Sequence, residues 1–189
     1  MRPSDSSTGS FSGSERCDHG KVFLQSFESG IPLSDQGRAE KAWHQYSYAD
    51  RGDECAVRAE KNDLKRAIDS AEIVFGDEKT IYTDKRLREC NYGLFDGKDS
   101  SLVVYETHIE DRFPEGESML DVEKRIKDFG DYLLENYNEK HIAIVAHKAP
   151  QLAIQVLTQG KTWKQAIDED WRKTKNWQPG WDYIIDWKK

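Results

Sequence analysis

The sequence predicts an α/β protein, specifically a three-layer α/β/α sandwich with a mostly parallel central sheet. Short apolar or β-branched runs alternate along the chain with longer segments whose apolar residues recur every three or four positions. The run HIAIVA, residues 141–146, is apolar from Ile142 onward without alternation, which is typical of a strand covered by helices on both faces. We therefore expect this run to form an interior strand. A chain of 189 residues is long enough for one such domain.

Three other segments have the composition of strands, which is rich in β-branched and aromatic residues. They are KVFL at 21–24, TIYTD at 80–84 and WDYIIDW at 181–187.

Helices are predicted where an apolar stripe follows a capping residue. Ser34 and either Asn62 or Asp63 are suitable N-caps, and Ser118 with Asp121 resembles a capping box. Pro150 is tolerated because it falls in the first turn of its helix. The predicted helices span 34–48, 63–75, 118–137 and 149–158, with a shorter one within 162–171.

Composition limits the classes of function. The chain has 28 basic and 35 acidic residues and a net charge of −7, which argues against nucleic acid or an anionic membrane as a partner. Its three cysteines are widely spaced and form no CxxC pair, so we expect neither disulfides nor a metal site, and no cofactor. No segment resembles a signal peptide or a membrane span, so we expect a cytoplasmic protein.

The amino-terminal segment differs from the rest of the chain. Residues 1–20 are rich in serine, glycine and charge, and are predicted to be a disordered tail. Residues 21–189 are predicted to be the folded domain.

Three residues are candidates for a functional site. His147 follows the predicted strand 141–146, and in α/β sheets ligands bind beyond the carboxyl ends of the strands. Arg66 lies in the first turn of a predicted helix, where a guanidinium suits a phosphate or carboxylate. Glu89 lies on a loop after a strand, where it can serve as a general acid.

Each candidate also has a structural explanation. His147 can be a hydrogen-bonded structural residue, and Arg66 can be a solvated surface side chain. Glu89 is flanked by Arg86 and Arg88 and can be their ion-pair partner. Taken together, the three residues at strand ends and loops indicate a site for a phosphate or another oxyanion.

Five stretches resemble, in order and spacing, the phosphoglycerate-mutase-like branch of the histidine phosphatase superfamily. They are GIPLSDQGR, DLKRAIDSAEIVFG, LRECNYGLFDG, FPEGES and IAIVAH. The resemblance implies metal-independent phosphoryl transfer from a phosphorylated small molecule through a phosphohistidine. It also implies that Arg66 holds the phosphoryl group, that Glu89 protonates the leaving oxygen, and that His147 stabilises the transferring phosphoryl.

The chain departs from this family pattern in its first third. An Arg-His-Gly motif that supplies the nucleophilic histidine is expected directly after the first strand, but only six residues separate Leu24 from Ile31 and none is Arg or His. The only His-Gly pair begins at His19 and precedes the strand, which leaves His19 as the candidate nucleophile. The family also has a short buried strand where this chain reads ECAVRAEK, 54–61, and the charges there argue against a strand.

Several interpretations therefore stay open at this point. The chain is an active phosphomonoesterase or mutase, a non-catalytic relative that binds an anion or a protein partner, or a damaged reading of such a gene. A flavodoxin-like or receiver domain fits the alternation of elements, but it does not explain the five stretches. Hydrolysis is favoured over mutase activity, and neither the substrate nor the oligomeric state can be read from the sequence.

Overall fold

The computed structural model describes residues 22–28, 55–60, 65–75, 80–137, 140–174 and 181–186. These ranges contain five strands: β1 (Val22–Glu28), β2 (Cys55–Glu60), β3 (Ile81–Asp84), β4 (His141–Ala146) and β5 (Trp181–Ile185). They also contain five α-helices: α1 (Lys65–Phe75), α2 (Met119–Asn136), α3 (Lys148–Gln159), α4 (Trp163–Asp168) and α5 (Trp171–Thr174). The α/β architecture predicted from the sequence is confirmed.

The five strands form one sheet in the order β3-β2-β4-β1-β5. The pairs β3–β2, β2–β4 and β4–β1 are parallel, whereas β5 runs antiparallel to β1 at the edge. Strand β4 thus has the interior position that its apolarity predicts, and its bounds agree with the predicted 141–146.

Both faces of β4 are covered. Successive side chains of a strand point to opposite faces of the sheet. The five consecutive side chains from Ile142 to Ala146 are nevertheless each at most 1% exposed. Close packing on both sides holds this strand in place, and with it the residue that follows it.

The helix α2 agrees closely with its predicted range and start signal. Ser118 and Asp121 form a reciprocal capping box, in which the Ser118 hydroxyl accepts the Asp121 N–H and the Asp121 carboxylate accepts the Ser118 N–H. Its predicted stripe is buried to 2% exposure or less: Met119, Val122, Ile126, Phe129 and Leu133. The stripe packs α2 against the core and α3.

The other predicted helices are also found, with small shifts at their ends. Helix α1 starts two residues after the predicted 63, and α3 extends the predicted 149–158 by one residue at each end. The segment 162–171 holds α4 and the start of α5. The loop predicted around Glu89 belongs to a longer segment, residues 85–108. This segment contains four short 3-10 turns: Lys85–Leu87, Gly93–Phe95, Ser100–Leu102 and Tyr105–His108.

Two strand predictions need correction. The charges at Arg58 and Glu60 do not prevent a strand, because β2 pairs with both β3 and β4 and these ladders satisfy its backbone. The first strand continues past the predicted 21–24 to Glu28, because β1 pairs with β4 on one side and β5 on the other. Backbone pairing outweighs side-chain polarity in both places.

Some predictions lie outside the described residues. These are the helix at 34–48 and the boundary between residues 1–20 and 21–189. Within the described ranges, no helix combines the length and apolarity needed to cross a bilayer.

Candidate functional site

The carboxyl ends of four strands lie together at one end of the sheet. Strands β1 and β2 run parallel to β4, and β3 runs parallel to β2. Glu28 therefore pairs with Ala146, and Glu60 pairs with Asp84. His147 directly follows Ala146 and therefore lies at this carboxyl end of the sheet. This is the position where α/β sheets bind ligands.

His147 is the N-cap of α3. Its backbone is extended, with φ −87° and ψ −170°, and its side chain makes no capping bond to the helix. The residue is only 7% exposed. The imidazole therefore lies close to the start of α3 but accepts none of the backbone N–H groups there.

The carboxylate of Glu89 satisfies the start of α3 instead. Its Oε2 accepts the Lys148 N–H at 3.1 Å, and its Oε1 accepts the Ala149 N–H at 3.1 Å. Oε1 also accepts the N–H of Cys90 at 2.8 Å. The structure thus brings Glu89 next to His147 across almost 60 residues of sequence, because the positive end of a helix attracts a carboxylate.

Burial controls the protonation of Glu89. Removal from water raises the pKa of this carboxyl, against the lowering by the Cys90 and Ala149 N–H groups and by the charge of Arg125. A raised pKa favours the protonated carboxyl, which is the form that can donate a proton.

Arg86 is not the ion-pair partner of Glu89 that the sequence suggested. Its guanidinium forms a forked pair with Asp84, with Nε to Oδ1 at 3.0 Å and Nη2 to Oδ2 at 2.6 Å. The same group lies over the rings of Phe129 and Tyr132. The structure therefore ties Arg86 to the end of β3 and to α2.

Two tyrosines extend the hydrogen-bonded surroundings of Glu89. The hydroxyl of Tyr92, which lowers the pKa of Glu89, lies 2.5 Å from the hydroxyl of Tyr105. Burial raises the pKa of both phenols, so both stay neutral. The ammonium of Lys148 lies 4.5 Å from the centre of the Tyr105 ring and 3.3 Å from the buried carboxylate of Asp170.

Arg66 is the second residue of α1, and its side chain lies outside what the structure describes. Only the four residues 61–64 separate β2 from α1, so the chain can carry the start of α1 only a short distance from the end of β2. The predicted convergence of Arg66 with Glu89 and His147 stays a prediction. His19 also lies outside the described residues.

Two other histidines lie within the described ranges. His141 begins β4 and is thus at the opposite end of the strand from His147. His108 stacks on Phe113 with a centroid distance of 3.8 Å and bonds to the Asp111 carbonyl. Within the same ranges, no group of three or more His, Cys, Asp or Glu side chains is arranged to hold a metal ion.

Sequence reasoning named Glu89 and His147 as candidates, which stays a prediction, and it did not name the residues that surround Glu89. Arg125 and Glu117 bind the loop that carries Glu89, and the hydroxyls of Tyr92 and Tyr105 bond to each other. The sequence offered one signal for Arg125, which is its position three residues after Val122 and four before Phe129, beside the apolar stripe of α2.

Comparison with solved structures supports the fold. The chain is similar to YhfR of Bacillus stearothermophilus, with a TM-score of 0.59 and 20% identity over 77% of this chain and 83% of that one. A mycobacterial glucosyl-3-phosphoglycerate phosphatase gives 0.58 and 15% over 78% and 84%. A phosphoglycerate mutase from Bacillus anthracis gives 0.55 and 20% over 77% and 83%.

Comparison of sequences identifies the family. Curated protein sequences give no significant match. The family model described as histidine phosphatase superfamily (branch 1) matches residues 18–174, which is most of the chain. The α/β fold with its phosphoglycerate-mutase-like neighbours agrees with that match, and the chain belongs to the histidine phosphatase superfamily.

Proposed function

We propose that this chain binds the phosphoryl group of a phosphorylated small molecule beside His147 and hydrolyses the phosphomonoester slowly. The observation that carries the proposal is the contact of the Glu89 carboxyl with the first N–H groups of α3, directly after His147. A proton donor and an imidazole at the carboxyl end of β4 are two of the groups that phosphoryl transfer needs. Membership of the superfamily supports the same class of reaction.

In this proposal Glu89 donates the proton to the leaving oxygen. Its Oε1 accepts two backbone N–H groups and its Oε2 accepts one, so Oε1 suits the carbonyl oxygen and Oε2 the hydroxyl. The raised pKa of the carboxyl supports this assignment. His147 and Arg66 supply the positive groups that stabilise the charge on the phosphoryl oxygens.

The attacking group is the weak part of the site. In the phosphohistidine route an imidazole nitrogen bonds to phosphorus, the phosphorus–oxygen bond breaks, and the leaving oxygen takes the Glu89 proton. Water then cleaves the phosphorus–nitrogen bond. No Arg-His-Gly motif follows β1 in sequence, where Glu28 is succeeded by Ser29 and Gly30, and His19 precedes this strand.

The lack of an Arg-His-Gly motif directly after β1 favours low turnover. Losing a covalent nucleophile usually lowers the rate by several orders of magnitude and leaves only positioning and electrostatic effects. Anion binding needs only charge and donors, and these do not depend on the nucleophile. A binding role without turnover is thus the second candidate function, and the missing Arg-His-Gly motif after β1 is the observation that favours it.

We further infer a three-layer α/β/α arrangement around the site, with the cytoplasm as its setting. The burial of successive side chains of β4 supports the layers, because it requires cover on both faces of the sheet. Phosphate or another oxyanion is the proposed ligand, and no nucleic acid or membrane partner is proposed.

Two measurements on the purified chain test the proposal together. Titration calorimetry with inorganic phosphate measures binding, and hydrolysis of an aryl phosphate with trapping of an acid-labile phosphoenzyme measures chemistry. We expect phosphate binding that weakens about tenfold or more in Arg66→Ala, because a charge-assisted bond is lost. Arg112→Ala is the matched control, since Arg112 is 69% exposed and pairs with Asp121.

The possible results separate the interpretations. Binding with only trace hydrolysis supports the proposal, and binding with no hydrolysis at all supports the binding-only function. Fast turnover through a phosphohistidine that disappears in His19→Ala would identify His19 as the nucleophile of an active enzyme. A parent chain that binds no phosphate would refute both functions.

A further inference from the structure

Arg125 joins the loop that carries Glu89 to the start of α2. Its Nη1 donates to the carbonyl of Arg86, and its Nη2 donates to the carbonyl of Glu89 itself at 3.2 Å. Its Nε and Nη2 also pair with the carboxylate of Glu117 at 3.0 and 3.2 Å. With its side chain only 17% exposed, the guanidinium makes these bonds where water competes poorly.

Glu117 continues this connection to the far side of the loop. Its Oε2 accepts the N–H of Asn91 at 2.9 Å, and its own N–H donates to the Asn91 carbonyl at 2.8 Å. Arg125 and Glu117 together therefore hold the main chain at residues 86, 89 and 91. Three fixed points within six residues leave the Glu89 backbone little freedom.

The fixed backbone determines where the Glu89 carboxyl lies. That carboxyl must reach the N–H groups of Lys148 and Ala149, both at 3.1 Å, and a shift of the loop by an ångström would break both bonds. Arg125 touches the main chain of Glu89, and no contact between Arg125 and the carboxyl is needed for this effect.

We infer that Arg125 is a positioning residue, whose forked guanidinium fixes the Glu89 carboxyl at the start of α3. The catalytic importance of this position rests on the proposed function, in which Glu89 donates the proton to the leaving oxygen. The position of the carboxyl can be measured without any substrate. The two ideas can therefore fail separately.

The decisive variant is Arg125→Lys, which keeps the positive charge but replaces the planar fork with a single ammonium. A lysine cannot bond the two carbonyls and both oxygens of Glu117 in the same way. Any effect on Glu89 then comes from geometry. Arg112→Lys makes the same exchange at an exposed ion pair and serves as the matched control.

Two nuclear magnetic resonance measurements on the full chain report on Glu89 directly. Carboxyl carbon titration gives its pKa, and hydrogen exchange gives the protection of the Lys148 and Ala149 amides. In Arg125→Lys we expect the pKa of Glu89 to rise further, because the carboxyl stays buried but loses the Ala149 N–H bond that lowers its pKa. We expect amide protection to fall about tenfold, corresponding to one lost hydrogen bond.

The alternatives give different results. If Arg125 acted on Glu89 by charge alone, Arg125→Lys would leave the pKa and both amides unchanged, and Arg125→Met would raise the pKa of Glu89 without any loss of amide protection. Either of these results would overturn the inference, as would an equal effect in Arg112→Lys. Should Arg125→Met fail to fold, Arg125→Lys with its control decides the question alone.

These readouts stay valid if the proposed function is wrong. A chain that binds no phosphate but shows the expected changes in Glu89 would refute the function and support the positioning role. A chain that binds phosphate equally well in Arg125→Lys, with Glu89 unchanged, would refute the positioning role and support the function.

Discussion

Gly93 is predicted to hold together the two loops on which Glu89 depends, and Gly93→Ala tests this. Its φ is +54°, and a Cβ at this position would lie 2.1 Å from the carbonyl oxygen of Pro114. Gly97 is a matched control, because its φ is +73° and a Cβ there meets no atom within 4 Å. Both variants share the penalty of a left-handed alanine, and only Gly93→Ala adds the collision.

The expected magnitude follows from the distances. A left-handed alanine costs about 1 kcal/mol relative to glycine, and this is the whole effect predicted for Gly97→Ala. Moving the Gly93 Cβ from 2.1 Å to the shortest tolerated contact, 3.0 Å, requires a shift of at least 0.9 Å. The same shift would lengthen two bonds between the loops beyond hydrogen-bonding range: Leu94 N to Pro114 O at 3.0 Å, and Glu117 N to Asn91 O at 2.8 Å.

Each lost bond contributes about 0.5–1.5 kcal/mol. Gly93→Ala should therefore lower the free energy of unfolding by about 2–4 kcal/mol. Urea unfolding followed by circular dichroism measures both variants, with equal slopes as the check on comparison. A difference of less than about 0.5 kcal/mol between the two variants would show that the loops do not approach as closely as described. Phosphate binding should weaken in Gly93→Ala and stay at the parental level in Gly97→Ala.

The remaining predictions concern the cap of α2 and the protonation of Glu89. Ser118→Ala should lower the free energy of unfolding by about 1–2 kcal/mol, because Ser118 is buried and its cap faces little water. Thr162→Ala, at the exposed cap of α4, should cost about 0.5–1 kcal/mol in the same urea assay. Sulfate affinity should fall as pH rises through the raised pKa of Glu89, because the ionised carboxyl repels the anion. Calorimetry across pH would detect this fall, and its persistence in Glu89→Gln would contradict the reasoning.

The parts of the fold that were predictable are those where one local pattern dominates. Five buried apolar residues gave the bounds of β4, and the Ser118–Asp121 pair gave the start of α2. Strand β2 was missed because its stability comes from pairing with two neighbours, which no window of its own sequence reveals.

Only single residues of the candidate site could be predicted from the sequence. His147 was proposed because it follows a buried strand, and Glu89 because it lies on a loop after one; their roles stay predictions. The partners of Glu89 were not predictable, because backbone N–H groups almost 60 residues away have no sequence signature. Arg125 was missed for a similar reason: its acceptors include main-chain carbonyls, which every residue possesses.

The presence of Glu89 cannot by itself distinguish an active enzyme from a chain that only binds. Its carboxyl accepts the N–H groups of Lys148 and Ala149, so it stabilises the start of α3 whether or not any substrate is protonated. Arg125 likewise joins two loops irrespective of chemistry. A nucleophilic imidazole in line with the leaving oxygen must instead face the substrate, so its nitrogen does not stabilise a helix start or join two loops. The choice between turnover and binding therefore depends on the nucleophile, and trapping a phosphohistidine is the measurement that makes it.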